Sequence, residues 1–151
     1  MIDLKNIFLN YCSDNKLEVN INQVKIIELL IKFYKKNFKK SIFKFLLSKK
    51  KNKQGFYLMG SVGVGKTMLL NFFYNNIDLK KKKLHFNEFM IEFHDFVHLD
   101  KTSNPIDIFV KNLKKNCELI YLDEFQITNI VDAMILGKLF EKIFKENIKI
   151  I

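Results

Sequence analysis

Gly60-Ser-Val-Gly-Val-Gly-Lys-Thr67 is the stretch that decides the fold, and it matches the pattern G-x-x-x-x-G-K-[ST]. Glycines at 60, 63 and 65 permit backbone dihedrals that other residues resist, so amide N–H groups can converge on one cluster of oxygens. A helix is expected to start at Lys66, adding its free N–H groups and the positive end of its dipole. Lys66 supplies a mobile charge for β- and γ-phosphates, and the Thr67 hydroxyl is a hard oxygen suited to Mg²⁺. Ser61, Val62 and Val64 complete the loop. The competing reading is a chance glycine-rich turn. Context opposes it, because an apolar run bounded by glycines, Gly55 to Gly60, predicts a buried strand before the loop, and a helical pattern runs from Lys66 to about Asn75 after it.

Working outward, the spacing of Val24, Ile27, Leu30, Ile31 and Tyr34 predicts an amphipathic helix over Asn22 to Lys40. A short helix is expected over Ser41 to Leu47, then a polar connector from Lys49 to Gln54. The chain is therefore divided into a helical segment, 1–54, and a nucleotide-binding core, 55–151. Downstream, strands are expected at Lys83 to Phe86, at Leu119 to Asp123 and from Ile148 to Ile151. Helices are expected over Asn87 to Leu99, near Ile106 to Leu113, and from an Asn129 cap to Lys145. Strands alternating with helices predict a parallel α/β architecture.

Leu119-Ile-Tyr-Leu-Asp123-Glu124 places two carboxylates after four apolar residues. In a parallel sheet the carboxyl end of a strand opens onto the ligand crevice. Asp123 is expected to hold the Mg²⁺ shell and Glu124 to orient and polarise the attacking water. A buried strand followed by a helix-capping acid is the competing explanation of this segment, and the phosphate loop upstream disfavours it. The span from Thr67 to Asp123 accommodates a helix, a strand and a helix, which suits nucleoside triphosphatases with a strand inserted between the two motifs.

Composition sets the other bounds. The 151 residues are 48% hydrophobic and 14% aromatic with one Pro and five Gly, which excludes disordered and collagen-like chains. The most apolar run, Ile26 to Ile31, contains Glu28, so no membrane-spanning helix is expected. Cys12 and Cys117 match no ligand spacing and read as reduced thiols of a cytoplasmic protein. The net charge is +10, and every basic residue is lysine. Clusters at Lys35, Lys36, Lys39, Lys40 and Lys44, at Lys49 to Lys51 with Lys53, and at Lys80 to Lys83 can attract phosphate backbones or anionic lipid heads. A solvated helix face or loop explains them equally, and the Lys- and Asn-rich composition resembles the output of an AT-rich genome. The 16 Phe residues read as core rather than a base-stacking platform, although Phe33, Phe38, Phe43 and Phe45 interleave with lysines. His94-Asp-Phe-Val-His98 differs from the zinc motif H-E-x-x-H by one carboxylate. No third ligand is evident except distant His85, so a helix face that packs or hydrogen-bonds within the domain is the favoured reading.

The segments Gly55 to Leu69, His85-Phe86 with Phe89-Met90, and Asp123-Glu-Phe-Gln-Ile-Thr-Asn-Ile-Val-Asp-Ala-Met-Ile-Leu-Gly137 resemble the ZapE-type AAA+ ATPases of bacterial cell division and their mitochondrial relatives. The resemblance covers essentially residues 17 to 151. It implies a P-loop core that uses ATP and Mg²⁺ to remodel a protein partner. That partner is expected to be one such as the tubulin-like division protein FtsZ, with homo-oligomerisation at full length and peripheral membrane contact as further expectations. Asn87 and Asn129 depart from the histidine and aspartate usual in the family, which bears on partner contacts rather than the phosphate site. The family's fold would continue beyond a fourth strand into a γ-phosphate sensor, a fifth strand, an arginine finger and a helical lid. The sequence is therefore expected to be the N-terminal portion of a longer protein. The alternative function is a nucleotide-dependent nucleic-acid-binding module of helicase-loader type. On that alternative, affinity for DNA or RNA falls by about 10³-fold or more between 50 and 200 mM salt, as measured by fluorescence anisotropy, and absence of binding at low salt eliminates it.

Overall fold

The computed structural model describes residues 3–39, 53–99 and 103–151, and these pack as two compact units, Met1–Ile77 and Asp78–Ile151. Division by packing thus falls at Ile77, downstream of the compositional change at residue 54. The short helix expected over 41–47 lies outside the described residues, as do Phe43 and Phe45.

The first unit is built from helices. Helix α1 spans Leu4–Asp14, and Asp3 caps it by accepting the N–H groups of Lys5 and Asn6 at 3.1 and 3.4 Å. Sequence reading assigned no element here, although Leu4, Phe8 and Cys12 recur every fourth residue and are all buried. Helix α2, Ile21–Phe38, buries Ile27, Leu30 and Phe33 and leaves Lys35 and Lys36 exposed in its last turn, where cations complement the helix dipole. Helix α3, Lys66–Asn75, buries Leu69, Leu70, Phe72 and Phe73. Aromatic contacts join these elements: Phe8 meets Phe72 edge-on at 5.1 Å, and Tyr34 meets Phe73 at 6.4 Å.

The strand expected over Gly55 to Gly60 is not formed. Gly55 makes an isolated bridge, and residues 56–60 carry no ladder. A strand exists through its paired neighbours, not through apolar content alone. Here burial is one-sided: Phe56 and Leu58 are half-buried, whereas Tyr57 and Met59 are 70% and 77% exposed. Phe56 packs edge-on against Phe33 of α2 at 6.1 Å, so the apolar run serves helix packing.

In the second unit, β1 (Lys81–His85), β2 (Leu119–Asp123) and β3 (Lys149–Ile150) form a parallel sheet in the order β1-β2-β3. Three strands, not four, make this sheet among the described residues. Strand β2 is central and reads buried at Leu119, Ile120, Tyr121 and Leu122, as a continuous apolar run predicts for a parallel strand. Strand β1 starts two residues earlier than expected, within the lysine run. Lysines suit an edge strand because they oppose pairing with other chains, and Lys83 lies over the Tyr121 ring at 5.1 Å. The ladder continues past β3, with Leu122 N–H donating to Ile151 O and Ile151 N–H to Ile120 O, each at 2.9 Å.

Helices α4 (Phe86–Leu99), α5 (Pro105–Asn116) and α6 (Ile130–Lys145) flank the sheet. Pro105 occupies the first turn of α5, where a missing N–H costs nothing. Asn129 caps α6 as expected, accepting the Val131 N–H at 2.8 Å. Phe86, Phe89, Phe93 and Phe109 belong to the buried core with Leu122, Leu139 and Ile143. That supports the core reading of the phenylalanines. Lys149 is buried and bonds to the Asn147 side chain, and burial pushes its ammonium pKa down. Cys12 and Cys117 are free and buried, and burial raises both thiols, which disfavours the reactive thiolate. No described helix is long and apolar enough to cross a membrane.

Phe89 is fully buried, so Phe89→Ala is expected to cost about 3–5 kcal/mol, measured by urea denaturation. Ile91 is 59% exposed on the same helix, and Ile91→Ala is expected to stay within about 0.5 kcal/mol.

Candidate functional site

In the first unit, the candidate residues lie where the chain turns into α3. Gly63 and Gly65 hold φ of 83° and 84°, in the left-handed region that side chains resist. Gly65 is the N-cap of α3 and no side chain caps the helix start. The amides of a helix's first turn lie outside the intrahelical ladder. Together with the loop amides they form a cradle of donors at the positive end of the helix dipole. The Lys66 ammonium folds back across the loop and donates to Gly60 O at 2.8 Å and Ser61 O at 2.7 Å. Val62 and Val64 project outward, Val62 being 99% exposed, while Thr67 lies exposed in the first turn. All eight loop residues named from the sequence, Gly60 to Thr67, therefore belong to one continuous turn and helix start.

One participant escaped sequence reading. Gln23, in the first turn of α2, donates its side-chain N–H to Val64 O at 3.1 Å. Its position three residues after the Asn20 cap is one where glutamine ordinarily reaches back to the cap, so the sequence gives no hint of a contact 41 residues away.

In the second unit, the candidate residues lie at the carboxyl end of the parallel sheet. Asp123 ends β2 in register with His85, which ends β1. Glu124 follows with φ of 53°, a backbone state uncommon for a residue with a Cβ and concentrated at functional positions. Its N–H donates to Asp123 Oδ1 at 3.2 Å, and its side chain is 81% exposed. The nearest cation-forming group is His85, whose Nδ1 lies 3.8 Å from Glu124 Oε2. Glu88 accepts the His85 N–H at 3.0 Å and fixes the turn from β1 into α4. Two acids and an imidazole thus meet on one strand edge, the face where α/β sheets bind ligands.

The zinc reading of His94 and His98 is not supported by the geometry. His94 Nε2 pairs with Asp132 Oδ1 at 2.8 Å, tying α4 to the first turn of α6, and no cluster of three metal-binding side chains occurs among the described residues. A Mg²⁺ site would not form such a cluster in any case, since this ion keeps waters and phosphate oxygens as most of its ligands.

A parallel sheet with flanking helices, acids at its carboxyl edge and a glycine loop opening a helix defines the α/β nucleoside-triphosphatase class. Residues 10–151 match the family described as AFG1-like ATPase, and the chain belongs to that family. It is similar to Lactation elevated protein 1 homolog B of Danio rerio, 41% identical over 105 residues that make 61% of this chain and 21% of that protein. It is also similar to Cell division protein ZapE of Escherichia coli (strain K12), 34% identical over 100 residues, 65% of this chain and 27% of that protein. The chain thus spans roughly a quarter of the length of these curated relatives. No solved structure matches.

The loop makes a graded prediction. Gly63→Ala and Gly65→Ala each incur about 1–2 kcal/mol of left-handed strain. A Cβ at Gly63 meets nothing within 4 Å, whereas one at Gly65 comes 2.9 Å from Gln23 Nε2. Thermal melts are expected to show Gly65→Ala as the more damaging change.

Proposed function

We propose that the chain carries the ATP-binding part of an AAA+ ATPase and that ATP hydrolysis is its chemistry. The observation that carries this reading is the uncapped start of α3 behind two left-handed glycines, with Lys66 folded over the same turn. A triphosphate is the ligand such a turn suits, because its oxygens accept many N–H donors at once and its charge matches the dipole. The Lys66 ammonium would exchange two neutral carbonyl acceptors for charged phosphate oxygens, a stronger bond.

Thr67 and Asp123 would hold Mg²⁺, which neutralises charge on the transferring phosphoryl group when bound. Glu124 acts as the base that orients water: its carboxylate is exposed, at the strand edge, and free of any lysine within ion-pair distance among the described residues. The left-handed backbone at Glu124 turns the chain away from β2 immediately after Asp123, so the two acids can take different roles.

The ZapE relative, named a cell division protein, supports a role for the whole protein in cell division, and remodelling of a protein partner is the work assigned to it on this reading. The tubulin-like division protein FtsZ is the partner of choice on this reading. Oligomerisation of the full-length protein and contact with a membrane surface complete it.

Lys66→Ala is expected to weaken ATP binding by about 10- to 100-fold, read by titration with a fluorescent ATP analogue. Mg-ATP should raise the melting temperature of the wild-type chain and not that of Lys66→Ala. In a protein competent for turnover, Glu124→Gln should keep ATP affinity while phosphate release slows by about 10²- to 10⁴-fold. Undiminished turnover in that variant would remove Glu124 from the mechanism.

A further inference from the structure

Gln23 reaches the phosphate loop from outside the motif, and the chemistry of that contact is specific. Its Nε2 donates to the carbonyl of Val64 at 3.1 Å. A peptide group is planar and trans, so a carbonyl and the N–H that follows it point in opposite directions. With Val64 O turned toward α2, the Gly65 N–H is aimed away from α2. That amide is the last of the loop before the helix begins at Lys66. Rotation of this one peptide would withdraw the amide and present a carbonyl oxygen in its place, which repels an anion.

Two further observations show that the contact is built in. Asn20 caps α2 with its own side-chain oxygen, accepting the Asn22 N–H at 2.8 Å, so the Gln23 amide N–H is not needed to close the helix start. A Cβ on residue 65 would come 2.9 Å from Gln23 Nε2, so Gly65 makes room for this side chain as well as for its own dihedral. A neutral donor is required at this position. A carboxylate would oppose both the Val64 carbonyl and any polyanion bound in the loop, and an apolar side chain would leave the peptide free to turn.

We propose that Gln23 is a positioning residue for nucleotide binding: it holds the Val64–Gly65 peptide in the orientation that presents the Gly65 N–H to phosphate, and so links the start of α2 to occupancy of the loop. The inference rests on the ATP reading above and deepens it. Linkage runs both ways. A filled loop stabilises the Gln23 contact and with it the first turn of α2.

The test uses the full chain as wild type, Gln23→Met and Gln23→Glu, with Mg-ATP and a fluorescent ATP analogue. Met keeps the length and packing of Gln without a donor. Gln23→Met is expected to melt within about 2 °C of wild type without nucleotide, and to bind about five- to tenfold more weakly. Gln23→Glu is expected to bind more weakly still. The Gly65 amide resonance, which Mg-ATP shifts in the wild type, should shift less in Gln23→Met. A measurement that needs no variant is hydrogen exchange of the wild type, where Mg-ATP should slow exchange in residues 21–27. Equal affinity and an equal Gly65 shift in Gln23→Met overturn the proposal, as does unchanged exchange over 21–27 in a chain that binds Mg-ATP. A wild-type chain that fails to bind Mg-ATP overturns the ATP reading as well, which separates the two failures.

Discussion

The left-handed backbone at Gly63 and Gly65 is the constraint on which the rest depends. It reverses the chain tightly enough for a helix to begin at Lys66 without a capping side chain, so donors are left to face a ligand. Ordinary helices in this chain are closed differently. Asp3, Asn20 and Asn129 each satisfy first-turn amides with their own oxygens. The start of α5 also has no side-chain cap, but there Pro105 removes one of the free amides, whereas the start of α3 keeps its amides behind two left-handed glycines. Gln23 and Lys66 then hold the turn from its two sides, one on Val64 O and the other on Gly60 O and Ser61 O.

The second unit solves a different problem. Its central strand is buried at Leu119 to Leu122, yet it ends in Asp123 with Glu124 directly after. The solution is to stop the strand at Asp123 and turn the backbone left-handed at Glu124, which brings the carboxylates out at the sheet's edge. His85 arrives beside them because parallel register pairs it with Asp123. The flanking helices bury phenylalanines against the strand, and the His94–Asp132 bond fastens α4 to α6 on the way to the same edge.

Much of this was legible in advance, and for a reason common to the successes. Helices α2 to α6 and strand β2 carry periodic or continuous apolar patterns, which report burial directly. The glycine turn before α3 and the end of β2 at Asp123 lie where the sequence reading put them, because glycine and a closing acid mark element boundaries. The failures share a cause too. Helix α1 was overlooked because Leu9 and Tyr11 interleave with the buried Leu4, Phe8 and Cys12 and blur the period. The run from Gly55 to Gly60 has strand composition, but a ladder depends on what lies beside it, and here its apolar side packs on α2 through Phe56 and Phe33. Lys81 and Lys82 read as surface and form a strand because β2 offers them partners.

The sequence by itself determined the residue types at the loop, the two carboxylates and the alternation of helix with strand, since backbone freedom, charge and apolar period are properties of residues and their order. Only the tertiary structure decided that Gln23 touches Val64, that His85 stands beside Glu124, and that His94 pairs with Asp132. Those are pairings between residues far apart in the chain. Their free energy comes from proximity, and proximity is a product of packing rather than of any local pattern.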